Sequence, residues 1–245
     1  MKIFLKKSKD YLKYKTYLLF LHIISCIKSI GRQRKIDKYL KKNTTKKLHI
    51  GCGKKTRDGW LASDLNSKKG VIFLDATKKF PFRNDSLDYI FSEHMIEHID
   101  YFDGKKMLQE CSRVLRPGGK LRIATPDLKK YLSLIDEPEK VENKKAINFY
   151  MKKLFSDYPN DANSPYHILN LLMHKWGHSY IYTLETLSEQ LKLSGFKDIQ
   201  VKETGKSDDS NLKNMEMHNE NAIAVNIFDE DGFFKFETII VEASI

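Results

Sequence analysis

The sequence predicts a doubly wound α/β domain that begins near Lys47 and follows a basic helical arm. Three observations carry this expectation. Short apolar runs alternate with turn residues from Lys47 to Asp127, and three of them end at or just before an acid. A helical apolar pattern lies between the fourth and fifth runs, and strands that alternate with helices pair in parallel. The charge also divides. Residues 1–47 hold fifteen Lys or Arg against Asp10 and Asp37, about +13 of a net +11, so the rest of the chain is near −2.

A chain of 245 residues buries one sizeable core, or one core plus an appendage. Cys26, Cys52 and Cys111 form no CxxC pair, which excludes a readable metal framework or disulfide scaffold and suits a reducing setting. In the arm, the apolar run from Tyr17 to Ile27 is about eleven residues long, against the ~20 needed to span a bilayer. Ile23-Ile-Ser-Cys26 resembles a lipoprotein cleavage box, but the basic flank is long and no A-x-A site follows. Two readings of the arm stay open. An interfacial helix would contact an anionic membrane surface. Alternatively, a helix pair packs on the domain with its Lys face in water. Nucleic-acid binding would rest on charge alone.

The elements follow in order. Lys47–Ile50 is a strand that runs into Gly51-Cys52-Gly53, and Trp60–Asp64 is a second. Val71–Asp75 is a third, Leu87–Ser92 a fourth and Lys120–Ala124 a fifth. Met107, Leu108, Cys111, Val114 and Leu115 share a helix face, which Arg116-Pro-Gly-Gly119 ends. Residues 126–182 read as an irregular, helical, acceptor-side insertion. Thr183 caps a helix to Leu193, Gly195 stops it, and Phe196–Val201 is a strand. Ala222–Ile227 and Phe233–Val241 flank a hairpin turn at Asp229-Glu-Asp-Gly232.

The chemistry gathers at strand ends, where open parallel sheets place ligands. Gly51 and Gly53 lack a Cβ and let a ligand lie against the backbone. Asp64 stands where an acid accepts hydrogen bonds from ribose hydroxyls. Asp75-Ala76 ends the third run, Ser92-Glu-His-Met-Ile-Glu-His98 the fourth, and Leu115-Arg-Pro-Gly-Gly119 leads into the fifth. Each has an ordinary explanation as turn chemistry; their order and spacing are more specific.

On these motifs, residues 47 to about 127 resemble a class I S-adenosylmethionine-dependent methyltransferase. The resemblance implies a Rossmann-like, mostly parallel seven-stranded sheet and S-adenosylmethionine as cofactor, held by Gly51, Cys52, Gly53, Asp64, Asp75, Ala76, Ser92 and Glu93. Gly59-Trp60, Thr125-Pro-Asp127, Gly177-His-Ser-Tyr-Ile-Tyr182 and the Ile240–Ala243 strand are similar to small enzymes associated with surface-polysaccharide synthesis. That subgroup implies a cytoplasmic O-methyltransferase for a sugar or glycan intermediate. A lipid or quinone precursor, or a cofactor-binding scaffold, are the alternatives.

One departure matters. Gly53 to Asp64 spans eleven positions, against ~20 in the dinucleotide fingerprint. The first crossover helix is therefore shortened or lost, and the arm is expected to pack into the gap. For the transfer step, a hydroxyl acceptor benefits from a general base. His94 and His98, four apart, are expected on one face of a short helix. His94 and His178 are the candidate bases. Asp127 either reaches the acceptor or caps the next helix. Spacing alone also allows zinc on Glu93, His94 and His98, but the order differs from HExxH and no metal is expected.

Overall fold

A computed structural model describes residues 31–154, 164–174, 176–216 and 237–245. The apolar run Tyr17–Ile27, the lipoprotein-like box and the Asp229–Gly232 turn lie outside the described residues. The order is α1 (Arg32–Lys42), β1 (Lys47–Ile50), β2 (Trp60–Asp64), β3 (Val71–Phe73), β4 (Leu87–Glu93), a 3-10 turn (Ile96–His98), α2 (Tyr101–Val114) and β5 (Leu115–Pro126). There follow α3 (Leu128–Asp136), α4 (Val141–Leu154), α5 (Pro165–His174), α6 (Leu184–Leu193), β6 (Lys197–Val201) and β7 (Thr238–Ser244).

The strands form one seven-stranded sheet in the order β3-β2-β1-β4-β5-β7-β6. Every pair from β3 to β5 is parallel, and β7 runs antiparallel to β5 and β6. This is the doubly wound, mostly parallel seven-stranded α/β sheet expected from the sequence. The order reverses between β1 and β4, so the switch point lies beside the Gly51–Gly53 turn.

Right-handed crossovers in the two halves put their connections on opposite faces of the sheet. On one face, α2 and α6 bury Met107, Leu108, Cys111, Leu187 and Leu191 against Leu48, Ile90 and Leu121. Asp100 caps α2 by accepting from the Asp103 amide, and Thr183 with Thr186 builds the capping box of α6. On the other face, residues 51–59 hold no helix. The first crossover helix is absent. Residues 203–216 cover that face instead. Leu212 and Met215 pack on Trp60 and Phe91. Arg122, fully buried, pairs with Glu216 at 2.6 Å and Glu242 at 2.5 Å.

The arm does not fill the gap with its described part. α1 drops Ile36 into the cluster that holds Leu48, Leu61 and Ile72, on the α2 face. Arg32 donates to the Phe73 carbonyl of edge strand β3. The Tyr39 hydroxyl ties Lys47 to Gly59, accepting from the Lys47 amide at 2.8 Å. The gap lies on the other face, where the chain after β6 is the nearer covering.

Other boundaries also shift. β3 stops at Phe73, because Asp75 turns the chain by accepting from the Thr77 amide and hydroxyl. β5 starts at Leu115 and absorbs Arg116-Pro-Gly-Gly119. The expected break appears as a register shift, Leu87 opposite Leu115 and then Tyr89 opposite Lys120, with Gly118 at φ 75°. The 126–182 segment is more regular than expected. α3, α4 and α5 enclose a core of their own, built from Tyr131, Leu134, Phe149, Tyr150, Ile168 and Leu172. Among the described residues, no helix is long and apolar enough to cross a membrane.

Candidate cofactor and active site

Because β1 to β5 are parallel, their carboxyl ends share one edge of the sheet. The β1 end supplies the glycine turn. Gly51 has φ 68° and Gly53 φ 54°, both left-handed, where an L side chain is strained. A Cβ on Gly51 would sit 2.3 Å from Met95 Cγ, so only glycine fits between the two strand ends. A Cβ on Gly53 would meet nothing within 4 Å. The open space over Gly53 is where a ligand can lie against backbone. Cys52 is buried between them, and burial together with Asp64 pushes its thiol up to about 11. It is inert as a nucleophile at neutral pH.

Asp64 ends β2. Its Oδ2 accepts from the Gly53 amide at 2.9 Å and its Oδ1 from the Asn66 amide at 2.8 Å. The missing crossover helix allows this short circuit, since residues 53–64 must close on themselves. Each carboxylate oxygen keeps a further lone pair. Asp75 follows β3, with Oδ1 committed to Thr77, and Ala76 is buried beside it. Ser92 and Glu93 end β4. Ser92 is fully buried with a hydroxyl that has no partner among the described atoms, and Glu93 is 7% exposed.

The chain leaves β4 in a way the sequence did not suggest. His94 takes φ 46°, a left-handed conformation rare outside glycine. Only Ile96–His98 is helical, so His94 and His98 do not share a helix face. His94 turns inward. Its Nδ1 lies 3.1 Å from Glu97 Oε1, and its Nε2 lies 3.4 Å from the Thr238 hydroxyl. Glu97 is fully buried, and its Oε2 accepts from the Thr125 hydroxyl at 3.1 Å. Burial opposes the imidazolium, but the Glu97 contact outweighs it and raises the His94 pKa. Burial also opposes the Glu97 carboxylate, and His94 outweighs it in turn.

His98 points outward. Its ring lies 5.1 Å from that of His178, edge to face. His178 belongs to the segment before α6, docked by the Ser179 and Tyr180 amides on the Glu97 carbonyl. Burial pulls the His178 pKa down. Glu97 thus lies between the two candidate bases. Tyr180, Tyr182 and Tyr101 stack beside them, and Trp176 lies 6.0 Å from His178. Asp127 is a helix cap: its Oδ1 accepts from the Lys129 amide.

Sequence reasoning missed three residues. Glu97 sits inside the quoted Ser92–His98 segment without a role assigned, although a His and a Glu three apart can pair across one turn. Glu237 is buried and accepts from Tyr131 at 3.1 Å and from Tyr150, and burial keeps its carboxyl up. Thr238, next to it, reaches His94. Both lie in the expected Phe233–Val241 strand, and no local pattern announces a contact across 144 residues.

Comparison with known proteins supports the class. Residues 48–123 match the family described as a methyltransferase domain. The left-handed glycine turn, the Asp64 carboxylate and the open space over Gly53 fit S-adenosylmethionine as the cofactor. No curated protein sequence matches the chain. Among solved structures, the chain is similar to a SAM-dependent methyltransferase from Archaeoglobus fulgidus, at 18% identity, TM-score 0.47, covering 90% of this chain and 93% of that one. It is similar to phosphoethanolamine N-methyltransferase 2 of Haemonchus contortus in complex with S-adenosyl-L-methionine, at 16% identity and TM-score 0.44. That match covers 82% of this chain and 48% of the other. A third, from Mesorhizobium loti, is an S-adenosylmethionine-dependent methyltransferase at 15% identity and TM-score 0.44, covering 82% and 90%.

Proposed function

We propose that the chain O-methylates a sugar or glycan intermediate of surface-polysaccharide synthesis, with His94 as general base. The observation that carries the reading is the His94 to Glu97 contact at 3.1 Å, on the carboxyl end of β4 beside the glycine turn. A base held by a buried carboxylate serves a hydroxyl acceptor, whereas an amine or thiolate needs less help. When bound, the cofactor supplies an electrophilic methyl group on a sulfonium.

In this reading the chain's own residues bind and orient. Gly51, Cys52 and Gly53 offer backbone, Asp64 accepts the ribose hydroxyls, and Asp75 with Ala76 meets the adenine. Ser92 and Glu93 take the methionine end. Glu97 fixes the His94 ring through Nδ1, so that Nε2 faces the acceptor proton, and a 3.4 Å contact to Thr238 is weak enough to be exchanged. His178 is the lesser candidate, because burial lowers its proton affinity and the nearby Glu97 charge does not offset it.

A lipid or quinone precursor is the second acceptor class. The exposed Arg34, Lys35, Lys38, Lys41 and Lys42 of α1 favour it, since they suit peripheral contact of residues 1–46 with an anionic membrane at its cytoplasmic face. The test uses labelled cofactor against nucleotide-sugars, glycan intermediates and prenyl lipids. Transfer to a sugar hydroxyl supports the first reading and transfer to a lipid the second. Binding with no transfer to any acceptor leaves a scaffold. His94→Ala is expected to lower kcat by about 10²- to 10⁴-fold with cofactor affinity unchanged. Unchanged turnover would remove His94 from the mechanism.

A further inference from the structure

We propose that Glu97, His98 and His178 form a binding site for a divalent transition-metal ion of the zinc class. One ligand atom from each lies within 4.8 Å of the others. Two imidazoles and one carboxylate are a recurring three-protein-ligand set for zinc, which leaves a fourth position open.

The surroundings of each ligand argue for the site more strongly than the proximity does. His98 Nδ1 lies 3.3 Å from the Gly177 carbonyl. That carbonyl can only accept, so it selects the tautomer with hydrogen on Nδ1 and leaves the Nε2 lone pair outward. His178 also offers a nitrogen. Its Nδ1 is buried and without a hydrogen-bond partner. That bare, buried nitrogen is available to an ion. His98 thus gives one N–H to a backbone carbonyl and keeps the other nitrogen bare, the arrangement in which metal-bound histidines are held. Glu97 is fixed from behind by Thr125 and His94, and each of its oxygens retains a lone pair.

Spacing and exposure set what must move. With bonds of ~2.1 Å, tetrahedral ligand atoms lie about 3.4 Å apart, so the cluster closes by at most about 1.4 Å on loading. Glu97 is fully buried and held, while His98 is exposed and has room to swing inward. The open fourth position then faces the side from which His98 enters. The ion would join the Ile96–His98 turn to the segment before α6, two pieces already tied by the Ser179 and Tyr180 amides. It would lie on the far side of Glu97 from His94. The proposal is independent of the acceptor and of methyl transfer, since its readout is metal retention.

The test uses the full chain, stripped with a chelator and titrated with zinc chloride by calorimetry, with retained metal measured after dialysis. One equivalent is expected, with a rise in melting temperature on loading. His98→Ala is on the surface and keeps the fold, and it should weaken zinc at least tenfold and abolish the thermal gain. His178→Ala should do the same. His167→Ala, outside the cluster, should bind as the parent does. Substoichiometric zinc, or stoichiometric zinc unaffected by both His98→Ala and His178→Ala, would overturn the site.

Discussion

Gly104 and Tyr182 show how tightly a single position is determined. A Cβ on Gly104 would lie 2.3 Å from the Tyr182 hydroxyl, with the next atoms at 3.6 and 3.7 Å. Tyr182 is fully buried and its hydroxyl has no partner among the described atoms. Gly104→Ala gains helix propensity of about 1 kcal/mol but forces that hydroxyl away. Overpacking of this kind costs about 1–3 kcal/mol, so a lower urea midpoint is expected. Tyr182→Phe removes the one clashing atom and an unsatisfied polar group together. The double variant should recover the loss in a double-mutant cycle, and additive behaviour would contradict the contact. At the same scale, Asp209 governs acid stability on the opposite face. Burial raises its pKa, but Lys120, the Asn211 amide and Tyr89 outweigh burial and hold it at about 2. Its unfolded value is about 3.9. A depressed carboxyl contributes stability that is present above about pH 4 and lost as pH falls toward about 2. Asp209→Asn should flatten that part of the urea-midpoint profile, and an identical profile between pH 5 and pH 2 would refute it.

At the scale of elements, what was legible in the sequence depended on how local each signal was. β1, β2 and β4 show as apolar runs because both sheet faces are covered, and α6 shows because Thr183 and Gly195 punctuate it. Asp64 and Gly51 were readable because turn chemistry and strand ends lie within a few residues of each other. The three helices of 126–182 were not, since their buried set is split among Tyr131, Tyr150 and Leu172, with polar residues between. Arg116–Gly119 misled because a Pro-Gly-Gly run signals a turn, whereas here it is spent as an irregularity inside β5. His94 misled because nothing in the sequence marks its positive φ. Its partners Glu97 and Thr238 sit on different elements, and only the closed sheet brings them together.

For the whole molecule, the loss of the first crossover helix redistributes the work of covering the sheet. One face is a conventional apolar interface with helices. The other is a layer from residues 203–216 that packs Leu212 and Met215 on the sheet and is pinned by the buried Arg122 pairs. α1 closes the end of the first face beside β3. Deleting residues 1–42 removes Ile36 from that core and the Tyr39 link between Lys47 and Gly59. Losing one buried Ile costs about 2–5 kcal/mol, and in a chain of this size each kcal/mol shifts the midpoint by about 2–4 °C. A melting temperature lower by about 4–20 °C is expected by calorimetry. An unchanged midpoint would show that α1 is an attachment with no share in the domain's stability.

The bond from the Gly53 amide to Asp64 carries one more consequence. The carboxylate expected to greet the ribose is already employed in holding the glycine turn closed. Little of the turn is left to be ordered at encounter, so its rigidity is settled during folding and more of the contact energy appears as affinity. The same economy removes a degree of freedom from evolution. Position 64 cannot drift toward a different nucleoside without loosening the turn, and the turn cannot be remodelled without disarming the position that reads the sugar.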